Sequence, residues 1–148
     1  MIKLDIKTTP GTEAYMSKLP KMVREGLVSG VKDSINFGKD EAKKSFGMPN
    51  KPHNKTGKLS NSIKASFLAG VNQIKGSLSS NEVYARIQEE GGVIRAKNAK
   101  YLSFQIGGSW VKVSSVTIPA RPYLNPAIMD NLKAIEGIIT ASILKGVK

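Results

Sequence analysis

Leu19-Pro20-Lys21-Met22-Val23-Arg24-Glu25-Gly26-Leu27-Val28-Ser29-Gly30-Val31-Lys32-Asp33-Ser34-Ile35 places apolar side chains at Leu19, Val23, Leu27, Val31 and Ile35. The stripe continues to Ala42 and Phe46. A spacing of four keeps such residues on one face of an α-helix. The stretch therefore predicts a long amphipathic helix of roughly 40 Å at about 1.5 Å per residue. Pro20 suits the first turn, where no intrahelical N–H is required. Gly26, Gly30 and Gly38 each cost about 1 kcal/mol relative to alanine. They are tolerable in a helix against which a second backbone packs closely.

N-terminal to this helix, residues 2–7 alternate apolar and charged. They read as a short strand with Ile2, Leu4 and Ile6 on one face, ended by Pro10-Gly11. Residues 1–10 are either an edge strand or a mobile arm that orders on contact with a partner. After the helix, residues 47–55 hold two prolines and several turn formers, and read as a flexible basic loop. Thr56 is placed to cap a helical turn that carries Leu59 and Ile63 inward.

Residues 64–70 and 72–79 alternate as strands around a turn at Gly70. Residues 82–90 read as a compact helical turn with Val83, Tyr84 and Ile87 as apolar contacts, stopped by Gly91-Gly92. Val93-Ile94, residues 101–106, residues 109–113 and residues 116–118 are extended, with Gly107-Gly108 as a hairpin signal. Ile118-Pro119-Ala120-Arg121-Pro122 is extended because its prolines fix φ and restrict the residue before them. A last helix opens with Asn125 as cap and Pro126 in the first position. Its stripe is Ile128, Leu132, Ile135, Ile139 and Ile143, with Lys145 in the last turn and Gly146 beyond it. The expected architecture is α+β: a long N-terminal helix, a small antiparallel β-sheet and a C-terminal helix packed on the sheet. Residues 1–148 form one domain, with no internal repeat.

The composition agrees with such a domain. An apolar fraction of 40% is ordinary for a globular chain of 148 residues. The absence of cysteine excludes a disulfide framework and suits a reducing compartment. No segment has signal-peptide character or the roughly 20 apolar residues that span a bilayer. The net charge is +12. No Asp or Glu lies between Ala42 and Asn81, or between Gly91 and Met129. Such stretches lower the cost of approaching a polyanion; a solvated basic face without a ligand explains them equally well. There is no zinc-finger spacing, aromatic RNA-binding signature or zipper heptad.

Catalytic sets are sparse. The one histidine, His53, stands in the proline-containing loop, where a histidine is usually just solvent-exposed. Structural zinc is disfavoured by one histidine and no cysteine. Glu89 and Glu90 are adjacent, so on a helix they do not face each other as an acid/base pair. Thr56-Gly57-Lys58 fails as a phosphate loop: the upstream glycine spacing is wrong and Leu59 replaces the needed Ser or Thr. These observations point away from an enzyme, with no cofactor and no metal expected. A small hydrolase using His53 as base is the weakest alternative.

Three blocks occur in order: residues 56–63, Thr-Gly-Lys-Leu-Ser-Asn-Ser-Ile; residues 84–92, Tyr-Ala-Arg-Ile-Gln-Glu-Glu-Gly-Gly; and residues 118–124, Ile-Pro-Ala-Arg-Pro-Tyr-Leu. Between the last two lies Ile94-Arg95-Ala96-Lys97-Asn98-Ala99-Lys100-Tyr101-Leu102-Ser103-Phe104. From Leu19 to the C-terminal helix the chain resembles the minor tail-component family of tailed bacteriophages and prophages. That family includes tail-completion and head–tail joining proteins, and the chain is similar also to the virion morphogenesis proteins of Mu-like phages. The Ile-Pro-Ala-Arg-Pro block before a terminal helix is the most specific piece.

The resemblance implies a structural virion protein at the neck or tail end. It would act as a homo-oligomeric ring among other neck and tail proteins, in the virion and, during assembly, in the host cytoplasm, without contact to a membrane. Tyr84, Glu89, Glu90, Arg121 and Tyr123 are the candidate assembly interface, with Arg121 presented to a carboxylate by its flanking prolines. The competing reading makes Tyr84 and Tyr123 core residues and gives Arg121 an internal pair. Lys55, Arg95, Lys97 and Lys100 are candidates to face passing DNA or an acidic partner. The alternative function is a basic DNA-binding accessory protein.

Overall fold

The computed structural model describes residues 2–7, 11, 13–53 and 55–147. Met1 and residues 8–10, including the expected break at Pro10, lie outside them. The elements run β1 (Ile2–Lys7), α1 (Glu13–Met16), α2 (Lys21–Lys44), α3 (Lys58–Asn61), β2 (Ile63–Ala69), β3 (Ile74–Ser80) and α4 (Ala85–Glu90). Then follow β4 (Gly92–Arg95), β5 (Leu102–Ile106), β6 (Ser109–Val113), β7 (Ser115–Ile118), α5 (Leu124–Met129) and α6 (Leu132–Val147). The class is α+β, as the sequence predicts.

β1, β3 and β2 form an antiparallel sheet in that order, with β3 in the centre. Residues 2–7 are thus an edge strand. Alternation along β3 buries Ile74, Gly76, Leu78 and Ser80 on one face, and α2 packs across the sheet there. A Cβ at Gly76 would stand 3.2 Å from Ile35 Cβ and 3.4 Å from Val31 Cγ1. Arg24 on α2 ties the β2–β3 turn by donating to the carbonyls of Gly70 (2.5 Å) and Val71 (2.8 Å).

The C-terminal helix lies on α2 rather than on the sheet, so the layers are sheet, α2, α6. The glycines of α2 explain the difference. A Cβ at Gly26 would stand 2.7 Å from Ile143 Cα, and one at Gly30 would stand 2.8 Å from Ile139 Cα. Any side chain there would hold the two backbones apart. Gly146 belongs to the same contact: a Cβ on it would meet Met22 O at 2.9 Å, and it sits inside α6 instead of ending it.

The last helix is also split. Asn131 Nδ2 donates to Ala127 O at 3.2 Å, while the Asn131 N–H bonds Ile128 O at 3.1 Å. This local bonding competes with continuation of the helix, and α6 starts afresh at Leu132. Leu132, expected in the buried stripe, is 47% exposed. Ile128 and Ile135 keep their places in the core with Ile35, Leu59, Ile63 and Leu78.

The start of α5 is held from a distance. Glu89 on α4 accepts the backbone N–H groups of Tyr123 (2.8 Å), Leu124 (3.0 Å) and Asn125 (2.8 Å). A helix N-terminus leaves its first N–H groups without intrahelical partners. Here one carboxylate takes three of them, and the next residue, Pro126, has no N–H. Neither expected side-chain cap forms. Asn125 lies inside α5, and Gly57, not Thr56, occupies the cap position of α3.

The 47–55 loop, expected to be flexible, is fastened at two points. Gly47 N–H donates to Pro52 O at 3.0 Å, and Lys51 Nζ to Pro122 O at 2.7 Å. Asn54 lies outside the described residues.

The helix contact gives a paired expectation. Gly30→Ala should lower stability by about 1–3 kcal/mol despite the better helix propensity. Gly137→Ala, on α6 with nothing within 4 Å of an added Cβ, should raise it by about 0.5–1 kcal/mol; urea denaturation of both reads the contrast.

Glu89→Gln faces an amide toward N–H donors and should cost about 2–3 kcal/mol. Glu90→Gln, whose partner is the exposed Arg86, should stay within about 0.5 kcal/mol. Thermal melts at neutral pH compare them.

Asp5 on β1 meets Lys75 Nζ at 2.7 Å and accepts from Ser77 Oγ at 2.5 Å. Burial pushes its pKa up, but Lys75, Ser77 and Lys3 outweigh it and hold the carboxyl below its ordinary 3.8. A depressed folded pKa contributes stability above the unfolded value and loses it as pH falls through the folded one. The β1 tie, worth up to about 1 kcal/mol at an exposed edge, should therefore fade beneath pH 3.8. Amide exchange along β1 would report this, and Asp5→Asn should remove the pH dependence.

Candidate assembly interface

Residues 92–118 form one nested antiparallel arm. β4 pairs with β7 from Gly92↔Ile118 to Arg95↔Ser115, and β5 pairs with β6 from Leu102↔Val113 to Ile106↔Ser109. Gly107 and Gly108 turn the tip with φ of 56° and 86°, as the double-glycine signal predicts. The two strands are unequal between the ladders: residues 96–101 stand on one side and Ser114 alone on the other. Lys97 and Lys100 ride on this longer side, exposed, with Lys100 Nζ 5.5 Å from the centre of the Tyr101 ring.

The arm joins the body at a tight point. Gly91 has φ 70°, and a Cβ there would meet Ala120 N at 2.7 Å and Ile118 O at 3.0 Å. Arg121 N–H donates to Gln88 O at 2.7 Å. The chain therefore leaves α4 and returns to α5 beside the same residues, with Pro119 and Pro122 stiffening the return.

Cross-strand alignment puts Leu102, Phe104, Val111 and Val113 on one face. Leu102 and Phe104, with Ile94, Val116 and Ile118, border an apolar groove of about 300 Å³ lined from both ladders. At the tip, Ile106 is 62% exposed, and Trp110 is 67% exposed on the opposite face. Val93, Ile94 and Tyr101 are exposed as well. The whole arm carries Arg95, Lys97, Lys100 and Lys112 and no acidic residue. Large apolar side chains are thus exposed on both faces of the arm. Sequence reading finds the strands but not their exposure, because alternation shows that a strand has two faces and not whether a second layer covers them.

The five residues expected to share an interface do not all lie together. Glu89 is 8% exposed and committed to the three N–H groups of α5. Tyr123 is fully buried, edge-on to Phe46 with ring centres 5.2 Å apart. Burial, partly offset by the nearby Ser80, pushes its phenol up to about 12. Its hydroxyl has no partner in hydrogen-bond geometry among the described residues. Both are framework residues, so the core reading holds for Tyr123. Glu90 is exposed and paired with Arg86 at 2.7 Å. Val83, expected as an apolar contact, is 96% exposed.

Tyr84 and Arg121 remain available and share a cleft. Both line a cleft of about 350 Å³ with Gln88, Thr56, Lys55 and His53. Residues of the 56–63, 84–92 and 118–124 blocks thus converge on one concavity. Lys55 belongs to this cleft and the other three candidate cations to the arm. Arg121 is half-buried, and its guanidinium makes no hydrogen bond or ion pair with any described residue.

No protein-family model, curated protein or solved structure was found to match this chain.

Proposed function

We propose that this chain is a structural assembly protein of a tailed phage or prophage, working at the neck as a tail-completion or head–tail joining component without catalysing a reaction. The arm of residues 92–118 carries this reading. It is an apolar ribbon, charged with one sign and uncovered on both faces at its tip. Its base is fixed to the body by Gly91, Arg121 and the prolines. A rigid body with a projecting apolar ribbon is suited to threading into a neighbouring subunit, and repetition of that contact around an axis closes a ring. The sequence resemblance supplies the place of the ring in a virion.

The arm favours a protein partner over DNA. Phosphate contacts need cations and gain nothing from uncovered Ile106 and Trp110. A protein groove with an acidic rim accommodates both the apolar side chains and the four cations.

Electron microscopy of particles from a phage or induced prophage lacking this gene tests the role. Full heads separated from finished tails are expected for a joining protein, and tails with unfinished ends for a completion protein. Normal infectious particles would overturn the virion role. In the same system Ile106→Ser with Trp110→Ser should leave the melting temperature unchanged and fail to restore infectivity, since a buried interfacial Trp carries about 2 kcal/mol or more.

A further inference from the structure

The cleft beside the arm has a ligand chemistry of its own. It is lined by His53 and Lys55, by Tyr84 and Gln88 of the α4 segment, and by Arg121 of the connector. Leu59 supplies a buried apolar floor, 5% exposed. None of the described lining residues is acidic. The two carboxylates that follow Gln88 are spent, Glu89 on the α5 backbone and Glu90 on Arg86.

The walls are joined to each other. Lys51 Nζ reaches Pro122 O at 2.7 Å, linking the loop to the connector. Arg121 N–H reaches Gln88 O at 2.7 Å, linking the connector to α4. A guanidinium that is half-buried, held by its backbone between two prolines and without an anion among the described residues has already met most of the cost of ordering. Its planar fork matches the two oxygens of a carboxylate.

We propose that this cleft binds an acidic peptide segment of a partner protein, seating one Asp or Glu carboxylate on Arg121. Lys55 provides a second positive charge, and the Tyr84 and Thr56 hydroxyls provide neutral donors. The Leu59 floor accepts the aliphatic part of the ligand. Shape separates this ligand from duplex DNA. A concavity of about 350 Å³ admits a side chain, whereas a duplex presents a broad convex backbone and meets outstanding cations such as Lys97 and Lys100. The inference rests on the assembly reading only in taking the source of the carboxylate to be a partner protein.

The test is an NMR titration of the isotope-labelled full chain with end-blocked hexaglutamate. Hexaglutamine, inorganic phosphate and a short DNA duplex are titrated in parallel. Expected are saturable shifts at the Arg121 side-chain N–H, Gly57 and Gln88 with hexaglutamate, and none with hexaglutamine. Arg121→Gln should weaken binding about tenfold or more, and Lys55→Gln, on an exposed side chain, by a smaller factor. The variants' amide spectra report their folding independently, and the Lys55 variant serves if the Arg121 variant unfolds.

Absence of saturable shifts in the cleft would overturn the proposal. So would shifts confined to the arm, or equal or tighter binding of phosphate or duplex at the same residues, which would make the cleft a phosphate site. Failure here leaves the missing-gene phenotype untouched. Normal particles together with intact hexaglutamate binding would remove the virion role and keep the cleft.

Discussion

One carboxylate joins the part of this protein that is packed to the part that is not. Glu89 closes three backbone N–H groups at the start of α5 from inside the protein. Each is a donor that burial would otherwise leave unmade, at about 1–3 kcal/mol apiece. The bonds fix α4 against α5, and the arm springs from the gap between them, leaving at Gly91 and returning at Ile118. The root of the arm therefore lies beside a buried polar contact. The same contact places Arg121, which lies just beyond the return and two residues before the first N–H that Glu89 accepts.

The body that anchors this joint depends on how closely two helices approach. α2 touches the sheet on one side and α6 on the other, so its two faces follow different rules. Toward the sheet it presents Val31 and Ile35, which fill the space above Gly76. Toward α6 it presents Gly26 and Gly30, where backbone meets backbone. Bulk on α2 thus faces a glycine on the sheet, and glycine on α2 faces the α6 backbone at Ile139 and Ile143, a volume-matching arrangement that close-packed interiors require. With α6 drawn onto α2 at one end, α5 lies across the other end. There Ile128 fills the space a Gly38 side chain would occupy, its Cδ1 2.5 Å from where that Cβ would stand.

Periodicity makes the long helix and most strands legible, because burial on one face leaves a repeat in the residues themselves. The double glycine at 107–108 names the hairpin because few turns accept two consecutive residues with positive φ. What escapes reading are contacts whose two halves lie far apart in the chain. Glu89 reads as half of an acidic surface pair, because nothing in its neighbourhood shows that the N–H groups 34 to 36 residues later need an acceptor. Tyr123 is undecided between core and interface in the sequence for the same reason, since its ring partner is Phe46. Arg24 gives no signal, as the carbonyls it ties belong to residues 70 and 71. The α2 glycines announce a close approach without naming the partner, so the expected layer order differs from the one that forms. For the candidate interface, Arg121 and Tyr84 are legible as residues that prolines and a helix start hold in place. The arm is not, since exposure is a property of what fails to cover a strand.

An uncovered apolar ribbon is a hazard for a free subunit, and the charge pattern bears on that hazard. Two copies pairing arm to arm would bring Arg95, Lys97, Lys100 and Lys112 against the same four cations with no acid on either ribbon. Like charges in register oppose such pairing. The repulsion acts only between arms, and it would turn into attraction toward a groove that carried acidic residues. A single set of lysines and arginines can thus disfavour the wrong contact and assist the right one, which is how specificity is obtained from repulsion as much as from affinity. Exposed charges are screened within about 8–10 Å at ordinary ionic strength. The protection therefore rests on close cross-strand neighbours and not on the overall charge of +12. The acid-free run from Gly91 to Met129 is in this view a property of the arm and its root, where any acidic side chain would offer a second arm an attractive partner.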